Sequence, residues 1–546
     1  MINDIKANLK SLIRLTLIMS YPFFVIAFLG QFLIQEKDLY YRELGAIFFI
    51  TAIFIGIIIL FKSLKLKKFF LLFFQFLLSF FISFKLFFYY NFNTKPSASA
   101  IFIIFETNAT EAKEFFISYF DFTLIAIILL SFFAFIFLII KLLTELSFFS
   151  FLGLEKVSLF SKVSILILVL FCGFLLNRSF SEQSIILILS HSISEYNIAK
   201  DYYKSNLAKP ENESIILKTN NNTPKVGVVI IGESTSRWHM QLYNYNRETN
   251  PILSGMRDEL YVFNDVISPA VMTIRSLGKA LTLSNINEPK IKNNFSVVQL
   301  ANAAGYETFW ISNQQPVGFT ESTPTIIATA AKHKQYLASN SYYYSIYDET
   351  LIPEIEKALN TTSEQKLIFV HLIGTHRIYK KRYPEEFSYF EGVNERTKIK
   401  TEYSKSKVNE YDNAVKYNDF VVSEIINLVK EKEKNSFVVY FSDHGEEVFD
   451  TQDFVGHHTQ KGSKAMYDIP FISWFSKEYL EANQRIDTLK NYKNRKYNTE
   501  DFIYSFSDVI NVEFEGYDAT RSIFNPKFIE RPRWIRDTLN YDIWKQ

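Results

Sequence analysis

Hydrophobic residues follow two different rhythms along this chain. Up to about residue 180 they form long unbroken apolar runs, and from about residue 225 they form short runs set between polar and helix-patterned stretches. The long runs cover about 12–33, 43–61, 69–90, 122–145 and 158–177. Each is close to the roughly 20 residues a helix needs to cross a bilayer. One such run reads equally as a buried core helix, but five before residue 180 predict a five-helix transmembrane domain, residues 1–180. The short runs are "VGVVIIG", "TFWIS", "LIFVHLIG", "FVVYFSD" and "IPFISWF", with helical patterns such as 293–304 and 409–431 between them. Strands alternating with helices predict an α/β domain, residues 223–546, with a mostly parallel sheet between helices. The connector, 181–222, begins with "SIILILSHSISEYNIAKDYY", whose mixed pattern suits a helix lying on the membrane surface. The polar "KPENES" and "TNNNTPK" that follow read equally well as solvated linker.

Composition sharpens this picture in two places. A chain of 546 residues exceeds one compact core, and its 55 Phe crowd into the apolar half. Lys6, Lys10 and Arg14 precede the first run, Lys62, Lys65, Lys67 and Lys68 separate the second and third, and Lys141, Lys156 and Lys162 flank the fourth-to-fifth connection. The opposite loops hold only Lys37, Arg42, Lys95 and Lys113. Positive charge marks the inner side, so the N-terminus is expected inside and everything after Arg178 outside. No cleavable signal peptide is expected, because the N-terminus lacks a short apolar region with a small-residue cleavage site. The net charge of +2 gives no reason to expect nucleic acid. Cys172, the single cysteine, falls in the fifth run, so the outer domain is expected to fold without disulfides.

Chemistry gathers at the ends of the short runs, where α/β sheets bind ligands. "VVIIGESTSR" delivers Glu233 directly after an apolar strand, "VVYFSDHGEE" delivers Asp443 and His444, and "LIFVHLIGTH" leads to His376. Oxygen and imidazole ligands side by side suit zinc or a similar divalent cation, and a catalytic zinc commonly takes three protein ligands with a fourth position for the reacting group. An Asp-His pair alone reads equally as a surface turn. In "SPAVMTIRSLGKALTLSN", Thr273 precedes a helix expected to begin near Leu277, where backbone N–H groups and the helix dipole favour phosphate. A lone Thr there is as readily a simple N-cap.

Taken in order, "GESTSR", a Thr ahead of a helix, "IGTH" before "YKKRYP", and "SDHGEE" resemble the bacterial phosphoethanolamine transferases of the alkaline phosphatase superfamily, which include the mobile colistin-resistance enzymes. The likeness runs over essentially the whole chain, apolar runs included. It implies an alkaline-phosphatase-like soluble domain and zinc held by Glu233, Thr273, Asp443 and His444, with Thr273 as nucleophile. It further implies that His376 and His457, rather than His458, stand near the transferred phosphate, while His371 and His239 are structural. The segment "FETNATEAKEF" corresponds to one that contributes Thr107 and Glu111 to lipid-substrate binding; on residue chemistry alone it reads as a solvated loop with a helix cap. A polar side chain common four residues before that Thr is Ile103 here. Lipid A-modifying members usually carry several disulfides, so this chain resembles more the branch acting on core sugars or other surface acceptors.

The resemblance implies a monomeric, multi-pass inner-membrane enzyme with a periplasmic catalytic domain. Its expected reaction moves phosphoethanolamine from phosphatidylethanolamine to an envelope acceptor (lipid A, core oligosaccharide or surface protein) through phospho-threonine, with His376 or His457 protonating the leaving group or holding a second metal. A phosphoglycerol transferase is the alternative within the superfamily. A sulfatase would need Cys or Ser where Thr273 stands, and a receptor or scaffold has no use for this array of acids and histidines.

Overall fold

A computed structural model of the chain describes residues 13, 15–34, 36–96, 109–129, 132, 136, 159–220, 223–285, 291, 293–315, 323–338, 346–536 and 538–545. Two compact units emerge: Met1–Phe105 with Phe115–Asn197, and Glu106–Glu114 with Ile198–Gln546.

The first unit is helical. Its helices include α1 (Tyr21–Leu33), α2 (Lys37–Leu60), α3 (Leu64–Phe92) and α5 (Leu159–Ser179), while α4 (Ala109–Tyr119) and α6 (Ile185–Leu207) straddle the division. Among the described residues, α2, α3 and α5 are long and apolar enough to cross a membrane, and α1 is apolar but has 13 residues. The expected span 122–145 lies mostly outside the described residues, and the expected span 12–33 begins outside them. Gly56 sets the approach of α2 to α5, since a Cβ there would run into Val169. One polar group is buried in this unit as a pair: Lys85 on α3 donates to Glu43 on α2 and to the carbonyl of Gln183. A buried charge persists only when paired and hydrogen-bonded in this way.

The second unit is built on a seven-stranded sheet of β1 (Val226–Gly232), β2 (Leu260–Val262), β3 (Glu307–Ser312), β4 (His333–Tyr336), β5 (Lys366–His371), β6 (Ser436–Ser442) and β7 (Phe471–Phe475), in the order β2-β7-β6-β1-β5-β3-β4. The neighbours from β6 to β4 are all parallel, and β7 runs antiparallel to both β6 and β2. The sheet is thus mixed but mostly parallel. Strand β2 has only three residues and β4 reads His-Lys-Gln-Tyr, so neither stands out as an apolar run. Alternation along β1 feeds both faces: Val229 and Ile231 enter one core, Val226, Val228 and Ile230 the other. Part of the expected linker is also ordered, since Leu217–Asn220 pairs antiparallel with Val512–Phe514 and Leu217 packs on the core.

Further helices cover this sheet: α7 (Thr273–Ala280), α8 (Val297–Ala303) and α9 (Glu402–Lys432). A capping box starts α9 at Thr401, and the same device at Ser296 starts α8. The chain leaving β1 is tied to α9 by buried polar contacts. Tyr411 donates to the carbonyl of Ser234 at 2.7 Å and accepts from the N–H of Ser236 at 2.8 Å. His239 sits 2.6 Å from Asp412 and 3.2 Å from Asp450, and Arg247 reaches Asp412 at 2.7 Å. Burial alone would lower the His239 pKa, yet Asp450 and Asp412 hold it up to about 10. Its folded value therefore exceeds its ordinary one, and its contribution to stability is full below about 6.5 and lost as pH rises through about 10. Replacing His239 by Gln should cost about 3–5 kcal/mol at pH 6 in denaturant unfolding of the second unit. The gap between wild type and variant should narrow as pH rises toward 10. A pH-independent gap would assign the effect to packing alone.

Candidate functional site

The parallel strand order brings the C-terminal ends of β1, β5 and β6 together, and the residues that follow them form one cluster. Glu233 follows β1, and Asp443 and His444 follow β6; all three are buried, and one ligand atom from each lies within 4.8 Å of the others. Thr273, the first residue of α7, places Oγ1 3.2 Å from Glu233 Oε2 and 3.4 Å from His444 Nε2. The four residues proposed as ligands from sequence are therefore mutual neighbours. The helix begins at Thr273 rather than near Leu277, which puts the hydroxyl in the first turn.

Hydrogen bonds fix which atoms face inward. Asp443 Oδ1 accepts the N–H groups of Ser234 at 3.0 Å and His444 at 2.7 Å, while the buried Oδ2 has no hydrogen-bond partner. His444 Nδ1 lies 2.9 Å from the carbonyl of Gly445, so Nδ1 carries the proton and Nε2 offers a lone pair to the cluster. Ser234 Oγ and Gln314 Nε2 donate to the two oxygens of Glu233, at 2.8 and 3.1 Å. Two buried carboxylates, one with an orphaned oxygen, and an imidazole lone pair form a set that fits a divalent cation. Without one, burial pushes Asp443 up to about 6, partly opposed by the N–H groups of Ser234 and His444. Ser234 holds a left-handed conformation (φ 57°), a strain found where geometry is set for function.

His376 lies on the turn after β5. Asp348 accepts the N–H groups of Ile373 at 3.0 Å and Gly374 at 2.8 Å, and Thr375 N–H donates to the carbonyl of Glu233 at 3.0 Å. Gly374 has φ +51°, and a Cβ there would meet Glu233 O at 2.7 Å, so only glycine lets this turn lie on the one after β1. Burial, partly opposed by Glu233, holds His376 down to about 3, which keeps it neutral. Arg382 donates to the carbonyls of His376 and Arg377 at 2.9 and 2.7 Å, and its Nη2 lies 3.5 Å from His376 Nδ1. The two Nη2 N–H groups have nearer acceptors in Glu114 and the Arg377 carbonyl, so the contact with Nδ1 favours, without fixing, the tautomer with the ring proton on Nε2. His457, not His458, packs against His444, with ring centroids 4.1 Å apart and the rings tilted by 54°. Its Nδ1 is 2.6 Å from Glu446, which also accepts from Tyr379 at 2.7 Å. Burial raises Glu446 to about 7, against His444 and Tyr379, and holds His457 well below the usual imidazole range.

His239 and His371 stand apart from this cluster. His239 is used by the α9 network, and His371 is buried at the end of β5, held down to about 4 by burial. Thr107 lies outside the described residues, and Glu111 is placed only as backbone within α4. Sequence reading missed four residues here. Glu446 follows the Asp-His pair by two positions, Gln314 ends "WISNQ", and Arg382 precedes "YP". The fourth, Glu114, pairs with Arg382, lies 3.6 Å from Lys381 Nζ and comes within 3.9 Å of His376 Nδ1. It follows Glu111 by three positions, one helical turn, which was the available signal.

Residues 225–512 match the sulfatase family. Phosphoethanolamine transferase EptC of Escherichia coli is 34% identical over 466 residues, spanning 80% of this chain and 79% of that one. Phosphoethanolamine transferase CptA of Salmonella typhimurium is 32% identical over 473 residues, spanning 80% and 79%. The crystal structure of the C-terminal periplasmic domain of Escherichia coli EptC in complex with Zn superposes with a TM-score of 0.57 at 35% identity, covering 62% of this chain and 97% of that one. The integral membrane lipooligosaccharide phosphoethanolamine transferase A of Neisseria meningitidis shares the fold over 93% of this chain and 97% of its own, with a TM-score of 0.63 at 18% identity. The chain belongs to the phosphoethanolamine transferases of the sulfatase and alkaline phosphatase superfamily.

Proposed function

We propose that this chain moves phosphoethanolamine from phosphatidylethanolamine to a cell-envelope acceptor (lipid A, core oligosaccharide or a surface protein) through a covalent intermediate on Thr273. The observation that carries the reading is a hydroxyl at the first turn of α7, within 3.5 Å of both Glu233 and His444 beside the unpartnered Asp443 Oδ2. Glu233, Thr273, Asp443 and His444 would hold zinc, which when bound offsets the buried carboxylates and makes the threonine hydroxyl more acidic.

In the first step Thr273 Oγ1 attacks phosphorus. A P–O bond to Thr273 forms, the P–O bond to diacylglycerol breaks, and the threonine proton ends on the diacylglycerol oxygen. In the second step an acceptor hydroxyl or amine displaces Thr273 and returns a proton to it. His376 is suited to donate Nε2–H to a phosphoryl oxygen rather than to act as a strong acid, because burial keeps it neutral. With Glu446 ionised and holding Nδ1–H, His457 presents an Nε2 lone pair that can take a proton from the acceptor. Glu111 and Thr107 are assigned to the lipid head group, where a carboxylate would pair with the ethanolamine ammonium. The helical half is read as inner-membrane, the catalytic half as periplasmic, and the chain as a monomer. The relatives described above give no support to the phosphoglycerol alternative.

Thr273→Ala should lower transfer by more than about a thousandfold, and mass spectrometry of wild type should find phosphoethanolamine on Thr273. Near-normal turnover in that variant would overturn the assignment. Zinc per chain, by atomic emission, should fall in Glu233→Ala. For positioning of the imidazole, Arg382→Gln should reduce kcat roughly ten- to a hundredfold with zinc retained, and should shift the 15N signature of His376 away from the Nε2–H form. An unchanged tautomer would remove Arg382 from that role. Finally, Glu111→Gln should slow turnover of bilayer lipid and leave zinc content alone; equal lipid turnover would exclude it from head-group binding.

A further inference from the structure

A pocket of about 190 Å³ opens in the catalytic unit between the strand Tyr497–Asn498, the turn Thr499–Asp501 and the stretch Phe528–Trp534. None of its lining residues belongs to the Thr273 cluster, yet its floor belongs to the backbone that delivers Thr273. Tyr497–Asn498 pairs in parallel with Val266–Ile267, the strand that leads into α7, and Thr499 Oγ1 donates to the carbonyl of Ile267 at 3.5 Å.

The pocket is preformed, because hydrogen bonds and ion pairs pin its walls. Buried Arg533 bridges Asp265 at 2.7 Å and Asp542 at 2.6 Å. Arg531 Nη1 donates to the carbonyl of Thr520 at 2.8 Å, and the N–H of Lys496 donates to Glu530 at 3.2 Å. Asn498 Nδ2 donates to the carbonyl of Trp534 at 3.4 Å.

Its lining combines aromatic rings, Phe528 and Trp534, with planar polar groups, Asn498, Asp501, Arg521 and Arg531. Asp501 is buried, 2.8 Å from Arg521 Nε, while Trp534 is 37% exposed at the rim. This is the chemistry that holds a hydroxylated ring. Aromatic faces take its C–H surface, carboxylates accept from its hydroxyls, and guanidinium and amide groups donate to them. Three of its cations are already ion-paired, Arg533 with Asp265 and Asp542, Arg521 with Asp501 and Arg531 with Asp518, so the lining has no surplus positive charge to select a phosphate or another anion. A lipid tail would bury the polar groups without supplying hydrogen bonds.

We propose that this pocket binds a sugar ring of the acceptor glycan, a subsite that presents an acceptor group to the phospho-threonine; the assignment rests on the function proposed above. Full-length protein in detergent is titrated with glucose 1-phosphate, glucose and inorganic phosphate by saturation-transfer difference NMR. Glucose and glucose 1-phosphate should bind and inorganic phosphate should not, and Trp534→Ala and Arg531→Ala should each weaken sugar binding roughly tenfold, the size expected for one hydrogen-bonding or stacking contact. Both side chains are more than a third exposed, so these variants should fold. The KM for oligosaccharide released from the cell's own envelope should rise in parallel. Equal binding by wild type and both variants, no binding of glucose, or equal affinity for inorganic phosphate would each overturn the pocket. Release of diacylglycerol by wild type from bilayer lipid is measured alongside. If that release is absent the proposed function fails, whereas the binding series judges the pocket by itself.

Discussion

Two carboxylates, Glu233 and Asp443, are buried beside each other, and the organisation of the catalytic unit follows from what that requires. Like charges so placed repel, and burial penalises each of them further. The protein meets the cost in part with donors aimed at three of the four oxygens: Ser234 Oγ and Gln314 on Glu233, and two backbone N–H groups on Asp443 Oδ1. The fourth oxygen is left facing Thr273 and the His444 lone pair. Positive charge entering the cluster would relieve that cost, which ties the proposed zinc and the proposed nucleophile to the fold through one electrostatic constraint.

The surrounding contacts hold this geometry against the repulsion. Parallel strands end at a common edge, so residues far apart in sequence arrive together without long loops. Two turns are then stacked on one another through Gly374 and the carbonyl of Glu233, and Asp348 holds the upper turn by its N–H groups. On the other side, Tyr411 and the charged His239–Asp412 pair fasten the chain after β1 to α9. Buried polar networks of this kind contribute less to net stability than to a single arrangement of the groups they touch. For phosphoryl transfer that trade suits the chemistry, since catalysis there is mostly positioning and charge neutralisation.

The histidines show how environment divides one residue type into several roles. His239 stays charged between two aspartates, His376 and His457 are kept neutral by burial, and His444 offers a lone pair because Gly445 takes its proton. The tautomers of His376 and His457 are set by their neighbours: Arg382 can only donate toward Nδ1 of the first, while Glu446, where it is ionised, accepts from Nδ1 of the second. In the proposed reaction one imidazole would donate to the phosphoryl group and the other would accept from an incoming hydroxyl.

Much of this was legible in the sequence, and the physics explains which part. Apolar runs long enough for a bilayer, alternating short strands and an acid or Asp-His pair at a strand end are local patterns imposed by burial and backbone hydrogen bonding. They named β1, β3, β5, β6 and β7, and they named Glu233, Thr273, Asp443 and His444. Strand β2 escaped because three apolar residues are too short a run to stand out, and β4 because its own residues are polar and its place comes from pairing with β3. The start of α7 at Thr273 and the contacts of Glu446, Arg382 and Glu114 were decided only by tertiary structure. A carboxylate's role depends on which imidazole or guanidinium lies within about 3 Å of it. That distance is set by strand order and loop packing, which no window of neighbouring residues contains.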